Sequence, residues 1–194
     1  MRSGRPDPDR LLQRMAALCA RSEQCSFDIG SKLRRAGLPD ADVRNILDRL
    51  KADGFIDDRR YAGSFARDKV RFSGWGKLKI RMALASKRIP APTIADALDS
   101  ISSEDYRKAL VSAATLKART LDLADHGDRT KLMRHLAARG FEGSVCSAAV
   151  AYLVKKTEDP NGLHTHRNYG NMWVTNPQGP MSQTHKGRKD RKVR

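Results

Sequence analysis

Leu33-Arg-Arg-Ala-Gly-Leu38-Pro-Asp-Ala-Asp-Val43-Arg-Asn-Ile-Leu47-Asp-Arg-Leu50 sets five apolar residues at steps of 5, 5, 4 and 3. Leu84, Ile89, Ile94, Leu98 and Ile101 repeat those steps, and Leu136, Phe141, Cys146, Val150 and Leu153 repeat them again. The blocks lie 51 and 52 residues apart (33 to 84, 84 to 136) with no internal gap. Self-similarity at a fixed period of this length marks stacked repeats, in which each unit buries its apolar face against its neighbours. Such an arrangement points to a binding surface more than to an enzyme built round one deep pocket.

The segments between these blocks read as helices. Asp7-Pro8 is an N-cap followed by proline at the first helical position, opening a helix to about Arg21. Ser26 is the expected cap of a second helix that stops at Gly37, and a third runs from Pro39-Asp40 to Gly54. Asp57 caps a fourth helix through about Phe72, with Tyr61, Phe65 and Phe72 as its buried stripe, and Ser73-Gly74 breaks it. A fifth helix covers roughly 76–88, and Pro90 and Pro92 punctuate the entry to a sixth that carries Ile94, Leu98 and Ile101. Ser102 or Ser103 caps a long helix to about Arg119. Asp128 opens the helix of Leu132 and Leu136, Gly140 stops it, and Ser144 caps the last. Nothing in 1–155 alternates as a strand. The expectation is an all-α chain of three three-helix units at 1–55, 56–101 and 102–156, followed by a disordered basic tail at 157–194 that is too polar to offset chain entropy.

Composition narrows the function. Aromatics make up only 6% of the 194 residues, so the core must be mostly aliphatic. No apolar run reaches the length of a membrane span, and the N-terminus lacks the apolar stretch of a secretory signal. Cys19, Cys25 and Cys146 are an odd number without zinc-ligand spacing, which suits a reducing compartment, and a cytoplasmic protein is expected. The net charge of +16 is unevenly spread: +2 over 1–57, +8 over 58–88, 0 over 89–154 and +6 over 155–194. Two segments hold nearly all the excess, and a field of that kind attracts polyanions or acidic protein grooves.

Catalytic chemistry is not visible. Gly74-Trp-Gly76-Lys77-Leu78 has the lysine of a phosphate loop but Leu in place of Ser or Thr, and no glycine five positions before Gly76. His164-Thr-His166 has no nearby cysteine or helical partner histidine, and His126 and His135 read as capping or surface residues. Asp57-Asp58, the adjacent acidic pair ahead of the basic segment, is explained by capping and by the helix dipole. Trp173 and Tyr169 in the tail have the chemistry to stack on bases. No enzyme, cofactor or metal is expected.

What remains is a surface. Arg60, Arg67 and Arg71 share one face of the fourth helix, and Lys77, Arg81 and Arg88 share one face of the fifth, each set at offsets of 4 and 7. Arg34 and Arg35 extend it from the first unit. Phosphates and partner carboxylates would both suit these residues, and the residues alone do not separate DNA from protein.

Gly54-Phe-Ile-Asp-Asp-Arg-Arg-Tyr-Ala62, followed by Gly74-x-x-Lys77-x-x-Ile80-x-x-x-Leu84, resembles the signature of RecX, the bacterial regulator of the RecA recombinase. Arg21-Ser22 and the segment from Leu33 to Gly37 also fit, and the similarity spans about 9–155. The second unit carries Lys87-Arg88 where a Lys-Gly pair would be usual in the family. The resemblance implies three tandem three-helix repeats in an elongated, curved array. It also implies a partner, the RecA filament on single-stranded DNA, whose growth, ATP hydrolysis and strand exchange the chain would inhibit as a monomer without catalysis of its own. Two other readings are a nucleic-acid-binding module of helix-turn-helix type and a helical scaffold for another protein. Reversing Arg60, Arg67, Lys77 and Arg81 to Glu together is expected to weaken filament or DNA binding while circular dichroism keeps its helical signal; unchanged binding would remove the stripe from the mechanism.

Overall fold

The computed structural model of the protein describes residues 6–158, and among these it holds nine helices and no strand. They are α1 (Pro8–Arg21), α2 (Ser26–Arg35), α3 (Asp40–Ala52), α4 (Asp58–Ser73), α5 (Lys77–Ser86), α6 (Ala91–Asp99), α7 (Ser103–Ala118), α8 (His126–Ala138) and α9 (Gly143–Glu158). Helix α9 runs two residues into the segment expected as tail; 159–194, with His164, His166, Tyr169 and Trp173, lie outside the described residues.

The repeat of the sequence is a repeat of backbone. Leu33, Leu84 and Leu136 head the three blocks, and each is fully buried at 0% exposure. Burial of such a side chain contributes about 1.5–3 kcal/mol. Four residues on, the chain leaves the second helix of each unit through a left-handed residue: Gly37 at φ 90°, Arg88 at φ 59° and Gly140 at φ 86°. The closing hydrogen bonds match too, because the N–H groups of Leu38, Ile89 and Phe141 donate to the carbonyls of Leu33, Leu84 and Leu136. Each next helix starts within a few residues of that stop. Arg88 holds the conformation that glycine holds in the other two units, at a steric cost of about 1–2 kcal/mol. Its guanidinium lies over the Phe27 ring at 5.4 Å.

Several helix starts differ from expectation. Asp7, Asp57 and Ser102 cap α1, α4 and α7 through their side chains. Helix α2, however, begins at Ser26, and its cap position is Cys25, which has no side-chain bond to give. The missing acceptor comes from the second unit: Asp58 takes the Ser26 N–H at 2.8 Å and its hydroxyl at 2.7 Å. Asp58 therefore caps a helix 32 residues away rather than its own. Asp125, not Asp128, caps α8, by accepting from the Asp128 N–H. Helix α9 begins at Gly143, so Ser144 already lies inside it.

Phe72 is the main error of burial. It is 83% exposed, and Val70 takes the inward place after Tyr61, Ala62 and Ala66. Helix α4 has 16 residues and packs on α6, which has 9. At 1.5 Å per residue the overhang is about 10 Å. In the last turn of α4 Val70 still belongs to the second core, while Phe72 lines an open groove of about 490 Å³ against α7, where Leu116 is also exposed.

Two joints connect the units. At the first, Cys25 is buried in the core of the second unit and Phe27 packs against it, with Lys87 paired to Asp28 and Arg60 to Glu23. At the second, backbone meets backbone. The N–H of Gly76 donates to the Arg139 carbonyl at 2.9 Å and that of Leu78 to the Gly140 carbonyl at 3.0 Å. A methyl group on Gly76 would sit 2.1 Å from the Gly140 carbonyl, and one on Gly140 2.4 Å from the Lys79 Cβ. Gly76→Ala should therefore lower stability by about 2–3 kcal/mol in a urea melt and make the third unit more sensitive to limited proteolysis. The control Gly54→Ala has open space around its new methyl and should cost only about 1–2 kcal/mol for its left-handed backbone; equal losses for the two would show that the Gly76 contact is not tight.

Candidate functional site

Residues 58–88 carry ten basic side chains, and the structure sorts them into those with a carboxylate and those without. Arg59 pairs with Asp96 at 2.9 Å, Arg60 with Glu23 at 2.6 Å, Arg71 with Asp105 at 2.8 Å, and Lys87 with Asp28. Arg67, Lys69, Lys77, Lys79, Arg81 and Arg88 have no carboxylate in range among the described residues.

Arg60, Arg67 and Arg71 do lie exposed along one face of α4. Their roles differ. Arg60 holds the first joint, bonding Glu23 and the Gly54 carbonyl. The other Glu23 oxygen is buried without a hydrogen-bond partner, so Arg60 is the group that offsets this charge. Arg71 clips α4 to α7. Among the described residues Arg67 hydrogen-bonds Ser64 alone, at 3.3 Å, and stays available.

On α5 the expected stripe breaks up. The helix ends at Ser86, which leaves Arg88 beyond it and turned onto Phe27. Lys77 is half-buried with its ammonium 5.5 Å from the Tyr106 ring. The Tyr106 hydroxyl accepts from the Lys77 N–H and donates to Glu142. Burial, and then that bond to a carboxylate, push the Tyr106 pKa well above the usual phenol range. Among the described residues Arg81 alone of the three is exposed without a partner, on a face shared with the exposed Leu78 and Met82. In the first unit Arg34 pairs with Asp40 at 2.8 Å and holds that carboxyl below its usual range, while Arg35 is exposed.

A cluster that the sequence reading passed over lies where α4 turns into α5. Trp75 sits in the three-residue turn, with the Lys69 ammonium 5.1 Å and the Lys79 ammonium 4.6 Å from its ring centre. Phe65 meets the indole edge-on at 6.3 Å and also carries Lys69 at 5.3 Å. The available signal is Trp75 between two glycines, with Lys69 and Lys79 within six residues of it.

Two histidines and three thiols complete the titratable set. His126 is exposed at the start of α8. His135 accepts from Arg139 at 3.2 Å, and its pKa is lowered by burial and then by the neighbouring Arg139 and Lys117 charges. The cysteines are unpaired, with Cys25 and Cys146 buried. Among the described residues no group of His, Cys, Asp and Glu could hold a metal ion, and no helix is long and apolar enough to cross a membrane.

Similarity to known proteins agrees with this layout. A family model described as the second three-helix domain of RecX matches residues 57–98, the span of α4 to α6. The regulatory protein RecX of Acidithiobacillus ferrooxidans is 33% identical over 143 residues, which cover 74% of this chain and 88% of that protein. The chain belongs to the RecX family. The regulatory protein RecX of Chlorobium phaeobacteroides is 35% identical over 125 residues, covering 64% of this chain and 81% of that one. A crystal structure of a regulatory protein RecX superposes with a TM-score of 0.64 at 26% identity, over 73% of this chain and 70% of that one. RecX from Lactobacillus salivarius, at 19% identity and a TM-score of 0.66, shares the fold over 75% of this chain and 96% of its own. The family is one of regulatory proteins.

The sorting of cations separates two kinds of arginine. Arg60→Glu would set a second carboxylate against Glu23 and should lower stability by about 1–3 kcal/mol in a thermal melt. Arg81→Glu, on an open helix face, should stay within about 0.5 kcal/mol of the parent. If both melt alike, Arg60 is not a joint residue and returns to the binding surface.

Proposed function

We propose that this chain is a noncatalytic regulator that binds the RecA–single-stranded DNA filament and restrains its ATP hydrolysis, growth and strand exchange, as a cytoplasmic monomer built of repeats at 1–55, 56–101 and 102–156. Family membership supports the partner. The observation that carries the reading to this surface is the excess of cations without carboxylates between Arg67 and Arg88. Charges already paired within the chain gain little from a polyanion, whereas unpaired ones release counterions when they meet phosphates or acidic side chains. Arg67 and Arg81 are the leading contacts; Arg35 and Lys77 are secondary. Arg34, Arg60, Arg71 and Arg88 act through the fold that presents them.

A helix-turn-helix reading is less well supported. The third helices of the first two units would be the recognition elements, yet α3 opens with Asp40 and Asp42, and α6 exposes Asp96 and Asp99. Carboxylates at those places repel the phosphates that flank a groove.

The test is DNA-stimulated ATP hydrolysis by the cognate RecA with this protein titrated in at two salt concentrations. Inhibition well below one molecule per RecA protomer, surviving the higher salt, is expected from engagement of a filament. Inhibition only near saturation of the DNA, and lost with salt, would mean competition for phosphates and overturn the filament reading.

A further inference from the structure

The turn between α4 and α5 carries a feature that a folded, charge-balanced joint does not require. Two ammonium groups, Lys69 and Lys79, converge on one indole, and neither has a carboxylate in range among the described residues. Each lies about 5 Å from the ring centre, which puts the two like charges within about 10 Å of one another in a half-buried setting, where they repel. Their attraction to the indole is weak beside a charge-assisted contact with an oxyanion. An anion that reached both would relieve the repulsion and draw the ammonium groups away from Trp75, leaving its ring free to accept a planar partner.

We propose that Lys69, Trp75 and Lys79 form a contact site for single-stranded nucleic acid, with the lysines on neighbouring phosphates and a base stacked on the indole. A strand supplies both parts, phosphates at regular intervals and exposed aromatic faces. A duplex hides its bases in the stack. An acidic protein segment offers carboxylates but no ring at matched spacing. Phe65 packs against Trp75 in an edge-type contact, and the Arg139 guanidinium lies against Gly74 and adds a third cation beside the turn. The second joint lies next door, since Gly76 is seated on Gly140. The site is therefore held on a fixed backbone. The proposal deepens the filament reading, on which it rests for the identity of the strand in the cell, and it assigns strand contact to residues apart from the Arg67 and Arg81 faces.

The experiment uses the full-length chain with Trp173→Phe, which leaves Trp75 as its single tryptophan. Indole emission is followed as a 15-nucleotide oligothymidylate is added without RecA, at several salt concentrations. The expected result is saturable quenching. Lys69→Gln and Lys79→Gln should each weaken binding by about 5- to 10-fold and lower the salt slope by about 1, with helicity by circular dichroism unchanged. An oligonucleotide lacking bases should bind with the same salt slope but quench less. Emission that stays constant at saturating oligothymidylate, or Lys→Gln variants that bind like the parent, would overturn the site. Equal quenching by a hairpin duplex, or by polyglutamate, would overturn the assignment to single strands. Because RecA is absent, a chain that passes this test yet leaves RecA hydrolysis untouched loses the filament reading and keeps the site; the reverse pattern loses only the site.

Discussion

The first turn of α5 rests on the end of α8, and the arrangement of the second and third units follows from that contact. A helix start leaves N–H groups without partners, and α5 begins after Gly76, which has no side chain to cap them. The carbonyls of Arg139 and Gly140 do so instead. The approach is close enough that only glycine fits on either side. Units of about fifty residues bury too little surface to be secure alone, and this seating lets the second and third units share hydrogen bonds as well as apolar area.

Much of this was legible because it depends on spacing. The steps of 5, 5, 4 and 3 placed Leu33, Leu84 and Leu136 in the core, and glycine at 37 and 140 marked the left-handed stops. Arg88 shows that the period outweighs residue preference, since the same backbone turn forms there without glycine. Caps were legible where they are local, as at Asp7, Asp57 and Ser102. They failed where the acceptor is remote, as with Asp58 over α2.

The candidate site was less legible for the same reason. Helical offsets placed Arg60, Arg67 and Arg71 on one face correctly, but they carry no information about what lies opposite. Arg60 meets Glu23 across 37 residues and Arg71 meets Asp105 across 34. Phe72 looked like core because its offset from Tyr61 and Phe65 is right, yet Val70 takes the inward place in that turn and Phe72 lines the open groove toward α7. The Lys69–Trp75–Lys79 cluster required knowing how the α4–α5 turn folds back on itself.

The two joints are made of different materials, and this gives the molecule a mechanical asymmetry. The first draws on ion pairs, Lys87 with Asp28 and Arg60 with Glu23, around a modest apolar contact through Cys25 and Phe27. Dissolved ions screen such pairs over roughly 8–10 Å at physiological strength. The second has one such pair, Arg71 with Asp105, and beside it a backbone-on-backbone seat at Gly76 and Gly140 that salt hardly affects. Ionic strength thus acts as a graded softener: it weakens the ion pairs of both seams, and the seam between the second and third units keeps its backbone seat.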